Sequence, residues 1–88
     1  MKVVFAEEGW EDYLHWQSSD RVVLERLTRL INECRRTPFK GLGKPEPLKE
    51  NRKGWWSRRI DGEHRLIYRV SGTGLEQALE IAQCRFHY

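Results

Sequence analysis

Glu46, Arg65 and His87 are residue types that together can cleave an RNA phosphodiester. RNA carries its own nucleophile, because the 2′-hydroxyl is already held beside the scissile phosphate, a large gain from proximity. A protein need only take the proton from that hydroxyl, return one to the departing 5′-oxygen, and stabilise the charge that builds on phosphorus. Glu46 suits the base and His87 the acid. Arg65, with Arg59 and Lys49, suits the phosphate, arginine offering a two-pronged donor. This chemistry calls for no metal and no cofactor, and leaves a 2′,3′-cyclic phosphate and a 5′-hydroxyl end. Each residue also has a plainer reading. Glu46 in a polar loop is a solvated carboxylate, Arg65 can pair with Glu63 at a surface worth little, and His87 near a chain end is frayed.

Other chemistries lack their residues. There is no GxSxG motif, no glycine-rich phosphate loop and no metal spacing among His15, His64 and His87. Cys34 and Cys84 sit among apolar neighbours and read as small buried hydrophobes. No apolar run is long enough to span a membrane, and the amino terminus lacks the pattern of a signal peptide, so the expected place is the cytoplasm. The net charge is only +3 over 88 residues. Yet residues 35–69 hold eleven Lys or Arg against four Asp or Glu. A confined basic zone fits local binding of a polyanion, though on charge count alone a solvated basic surface is the stronger reading.

The elements that must position these residues form one domain over residues 1–88. Residues 2–5 read as a strand and 6–16 as a helix with acids crowding its start. Residues 20–36 read as a strongly amphipathic helix, with Ser18 and Ser19 as cap candidates. Two or three residues should join the two helices into an antiparallel hairpin. Thr37-Pro38 ends the second helix. Residues 39–54 are loop by composition, with Leu48 as an inward anchor and a possible short strand at 48–49. Residues 55–70 read as a β-hairpin turning at Asp61-Gly62, a pair suited to a two-residue type I′ turn. Alternation places Arg58 and Arg59 on opposite faces, and Leu66, Tyr68 and Val70 opposite Arg65, Ile67 and Arg69. His64 should support the turn. Residues 75–88 read as a last strand or two. The sum is α+β: β-α-α followed by an antiparallel β meander, with the two helices packed on one face of a small twisted sheet.

Four blocks in order carry a resemblance: YLHWQ at 13–17, RRTPFKGLGKPEPLK at 35–49, WSRRIDGEHRLIY at 56–68 and CRFHY at 84–88. Together they resemble the YoeB-type toxins of bacterial type II toxin–antitoxin systems, within the RelE-like ribonucleases, over essentially the whole chain. The resemblance implies a RelE-like fold and an enzyme that cleaves messenger RNA in the ribosomal A site. It implies Glu46 as base, Arg65 as phosphate-stabilising residue and His87 as acid. Lys49 and Arg59 would bind the phosphate or RNA backbone, and Tyr88 would form part of the substrate platform. It further implies a homodimer, a cognate antitoxin of YefM type that covers the carboxy-terminal residues, and operator DNA met only through the antitoxin complex. Phe86 stands where tyrosine is common, and the stretch from Ser71 to Gln83 is a few residues longer than typical. The competing class is a non-catalytic RNA- or ribosome-binding module that inhibits by occupancy and uses the same basic hairpin. A terminal His87 and Tyr88 should be easily displaced.

Overall fold

The computed structural model describes residues 1–87. In chain order it has β1 (Lys2–Phe5), α1 (Glu7–Ser19), α2 (Arg21–Arg36), β2 (Glu46–Pro47), β3 (Trp56–Arg59), β4 (Arg65–Ser71) and β5 (Ala78–Gln83). Short 3-10 turns cover Glu50–Arg52 and Gly74–Glu76. The five strands form one sheet in the order β1-β5-β4-β3-β2. From β2 to β5 neighbours run antiparallel, as the meander requires. The first strand joins β5 in parallel, so the sheet is mixed.

The helices meet across a single residue. Asp20 closes α1 through its amide to the Trp16 carbonyl and opens α2 by accepting from the Val22 and Val23 amides, both at 3.1 Å. The expected two- or three-residue link is shorter because Ser18 and Ser19 lie inside α1 and donate back to the His15 carbonyl. The apolar stripe of α2, Leu27, Leu30, Ile31 and Cys34, is buried against the sheet face bearing Leu66, Tyr68, Leu79 and Ile81. Burial of that stripe, at about 25 cal/mol per Å² of apolar surface, is what makes the helix pack there. Helix α1 passes so close to β5 that a Cβ on Gly9 would come within 2.6 Å of the Ile81 carbonyl oxygen. Glycine is weak in a helix, and this approach is the physical reason for it here.

The long loop is more ordered than its composition suggests. Arg58 lies on the helix side of β3, fully buried, with no carboxylate partner among the described residues. Its Nε donates to the Tyr68 hydroxyl, Nη1 to the Leu42 carbonyl, and Nη2 to the carbonyls of Thr37 and Lys40. Tyr68 in turn donates to the Pro38 carbonyl at 2.6 Å. One guanidinium thus gathers residues 37–42 against the sheet. Burial pushes the Tyr68 hydroxyl up to about 12, its bond from Arg58 opposing the shift. Gly43 then runs beside β3, its carbonyl accepting the Arg59 amide at 2.7 Å. The short strand of this loop falls at 46–47, two residues earlier than expected, and Leu48 is buried as the inward anchor.

The hairpin connection also differs from expectation. Arg59 pairs with Arg65, so five residues link β3 to β4 in place of a two-residue turn. The Asp61 carboxylate explains this. It accepts the amides of Glu63 (2.9 Å) and His64 (2.7 Å), a side chain mimicking a backbone turn and holding a wider loop. The last strand ends at Gln83, and residues 84–87 form a separate tail.

Candidate active site

The face of the sheet away from the helices carries three of the candidate residues, Glu46, Arg59 and Arg65. Glu46 lies opposite Ser57 on the β2–β3 ladder, and Arg59 lies opposite Arg65 on the β3–β4 ladder. Since Ser57 and Arg59 are two apart on one strand, Glu46, Arg59 and Arg65 share a face. Strands lie about 4.8 Å apart and rise about 3.3 Å per residue, so Glu46 and Arg65, two strands and two residues apart, stand about 12 Å from each other. Lys49 is exposed at the start of the 3-10 turn after β2. Glu46 and Lys49 line a hollow of about 340 Å³ with Leu48, Glu50 and Arg52.

Arg65 is oriented by its own loop. Its Nη1 donates to the Asp61 carbonyl at 2.8 Å and to the His64 carbonyl at 3.0 Å, which fixes the plane of the guanidinium. The Asp61 side chain behind it is charged. Burial alone would raise its carboxyl, but the amides of His64 and Glu63 hold it below the usual carboxylate value.

The expected face of arginines is only partly available. Arg69 is taken up by Glu80, at 3.0 Å, and lies over the Trp55 ring. Ile67 is buried beneath a hollow of about 230 Å³ whose walls include Asn51, Arg52 and Trp55. The 3-10 turn folds over this part of the sheet, so Arg59 and Arg65 are the strand arginines left at the open end.

The tail brings His87 to the same end. Cys84 is buried, its carbonyl accepting Trp16 Nε1 at 2.8 Å and its amide donating to Asp12 at 3.0 Å. Burial pushes its thiol up to about 12, and that of Cys34 to about 11, so both behave as the inert hydrophobes expected. Two residues on, the Phe86 carbonyl accepts the Arg65 amide at 3.0 Å, and the Phe86 amide donates to His64 Nδ1 at 2.8 Å. The tail therefore lies beside the start of β4. His87 follows, exposed, next to Arg65. These bonds hold the tail as far as Phe86 and stop short of His87. Tyr88 lies outside the described residues.

Among the described residues, three other than glycine adopt left-handed backbone angles: Lys44 (φ 52°), Glu50 (φ 57°) and Phe86 (φ 64°). Each stands within two residues of Glu46, Lys49 or His87. Unfavourable backbone angles gathered at one end of a molecule are a mark of a functional site. No cluster of His, Cys, Asp or Glu able to hold a metal occurs among the described residues, and no described helix is long and apolar enough to cross a membrane. Sequence reasoning did not foresee Arg58 as the anchor of the loop, nor Asp12 and Trp16 as anchors of the tail.

Residues 5–88 match the family described as YoeB-like toxin of bacterial type II toxin–antitoxin system. The chain is 52% identical to toxin YoeB of Escherichia coli K12 over 88 residues, covering all of both chains. It superposes on a YoeB/ParE toxin from Agrobacterium tumefaciens with a TM-score of 0.97 and 57% identity, again over all of both chains. The YoeB dimer of Staphylococcus aureus is 36% identical, with a TM-score of 0.88 over all of this chain and 98% of that one. YoeB of Staphylococcus aureus is also known in a heterotetrameric complex with YefM antitoxin.

Proposed function

This chain belongs to the YoeB-like toxins of bacterial type II toxin–antitoxin systems, and on that premise we propose that it is a ribosome-dependent endoribonuclease that stops translation by cutting messenger RNA in the ribosomal A site. The observation that carries this reading is the convergence of Glu46, Arg59 and Arg65 on one end of one sheet face, with the tail bearing His87 bonded to Arg65.

The carboxylate of Glu46 takes the 2′-hydroxyl proton as that oxygen attacks phosphorus. Arg65, held by two carbonyls, meets the charge on the non-bridging oxygens, with Arg59 beside it and Lys49 on the backbone. His87 gives a proton to the 5′-oxygen as its bond to phosphorus breaks. Tyr88 belongs to the substrate platform. The products are a 2′,3′-cyclic phosphate and a 5′-hydroxyl. The small net charge suits an enzyme whose substrate is positioned by the ribosome, since a nuclease acting on bare RNA gains from a larger positive field. The partners that follow are a YefM-type antitoxin, a second copy of the chain, and operator DNA reached only through the antitoxin complex. The cytoplasm is where these partners meet.

The test is end-mapping of messenger RNA in a purified translation system, comparing wild type with Glu46→Gln and His87→Gln. Discrete A-site cuts ending in cyclic phosphate, and lost in both variants, support the enzyme. Stalled ribosomes carrying intact message would instead establish a module that inhibits by occupancy.

A further inference from the structure

We propose that His64 is a positioning residue whose Nδ1, by accepting the Phe86 amide, sets the register of the tail against Arg65 and so places His87 at the scissile phosphate; this rests on the acid role proposed above for His87.

The bonding around the tail singles out this imidazole. Two side chains from α1 hold Cys84, but they act three residues short of His87. Between them and His87 the chain turns at Phe86, which sits in the left-handed region at φ 64°. A residue with a Cβ leaves that region unless its neighbours hold it there. Among the described residues, two hydrogen bonds hold Phe86. Its carbonyl accepts from the Arg65 amide, and its amide donates to His64 Nδ1. Of these, only the second depends on a side chain.

The ring is itself well fixed. It lies edge-on to Trp16 at 4.7 Å and against the Phe86 ring at 5.7 Å. With Nδ1 accepting, the ring proton sits on Nε2, which points toward the Glu63 carboxylate at 3.7 Å. The His64 amide and carbonyl are bonded as well, to the Asp61 carboxylate and to Arg65 Nη1. One residue therefore joins the loop that orients the phosphate-binding arginine to the tail that carries the acid.

Two substitutions separate this role from packing. His64→Phe keeps a ring between Trp16 and Phe86 but removes the acceptor. His64→Asn loses the ring but can present Oδ1 near the place of Nδ1. The measurements are cleavage kinetics on programmed ribosomes and hydrogen exchange of the Arg65 amide, which reports tail register without involving the mutated bond. In His64→Phe we expect kcat to fall about tenfold with KM unchanged, and Arg65 exchange to quicken by a similar factor, the scale of one lost hydrogen bond. His64→Asn should restore both. Wild-type behaviour in His64→Phe, or impairment in His64→Asn alone, would overturn the proposal in favour of packing. Nitrogen NMR of the wild-type imidazole guards against a misfolded variant: a protonated Nδ1 at neutral pH would also overturn it. Should the wild type cut no message, the nuclease reading falls, while Arg65 exchange still decides the register.

Discussion

Arg65 and Phe86 are joined main chain to main chain, the amide of one donating to the carbonyl of the other at 3.0 Å. The pairing of β4 with β5 shifts register at Ile67 and Tyr68, and beyond that irregularity the tail takes the place beside β4. Bulges of this kind re-aim a chain next to functional sites.

This pairing predicts different outcomes for two truncations. Ending the chain after Phe86 removes His87 and Tyr88 but keeps every tail bond described above. Its denaturation midpoint should match wild type, while cleavage falls by about 10²-fold or more, the usual contribution of a general acid. Ending it after Gln83 also removes the buried Cys84 and strands Trp16 Nε1, which should cost about 3 kcal/mol of stability. Cleavage that survives the shorter deletion would rule out His87 as the acid.

Arg58 should be the most sensitive arginine in the fold. Replacing it with alanine leaves the carbonyls of Thr37, Lys40 and Leu42 without their donor and opens a cavity. A loss of roughly 3–5 kcal/mol in urea denaturation is expected, as for breaking other buried charge arrangements. Arg58→Lys should recover only part, because an ammonium cannot span the same fork of acceptors. Arg59→Ala, on the exposed face, should leave stability near wild type.

Gly9→Ala tests the approach of α1 to β5. The added methyl meets main chain, the Ile81 carbonyl, which cannot step aside as a side chain tip would. Helix propensity favours alanine by about 1 kcal/mol, yet the overpacking should win and lower stability by about 1–3 kcal/mol. A more stable Gly9→Ala protein in a thermal melt would show that the two elements can part.

Acid should loosen the loop that orients Arg65. The folded state holds the Asp61 carboxyl below its ordinary value. Its contribution is therefore complete above the ordinary carboxylate pKa and is lost as pH falls through the depressed folded one. The amide signals of Glu63 and His64 should move together over that acidic range. In Asp61→Asn, which keeps an acceptor but cannot titrate, this component of the movement should vanish.

Residue chemistry and strand alternation revealed much of this arrangement in advance. Placing Arg58 and Arg59 on opposite faces required only the period of a strand, and it held. What alternation could not reveal was the task of Arg58, because its acceptors are carbonyls of residues 37–42, which leave no trace in side-chain identity. Asp61-Gly62 looked like a tight turn because that pair favours one, but the Asp61 carboxylate is bonded within a wider loop. Asp12 and Trp16 lie one helical turn apart, but Asp12 reads only as one of the acids crowding the start of the first helix and Trp16 as that helix's last residue. That they both grip Cys84 follows from the tail folding back across α1, a long-range contact that local pattern does not encode.

The parallel seam between β1 and β5 orders events at birth. Residues 2–5 wait for residues 78–81 before they have a strand partner, and the tail bonds wait for residue 86. Such distant pairings form late in folding. A ribosome making this protein must therefore deliver nearly all of it before the sheet gains its first strand or His87 comes to rest beside Arg65. A half-made copy therefore carries Arg59 and Arg65 without the tail that comes to lie beside them.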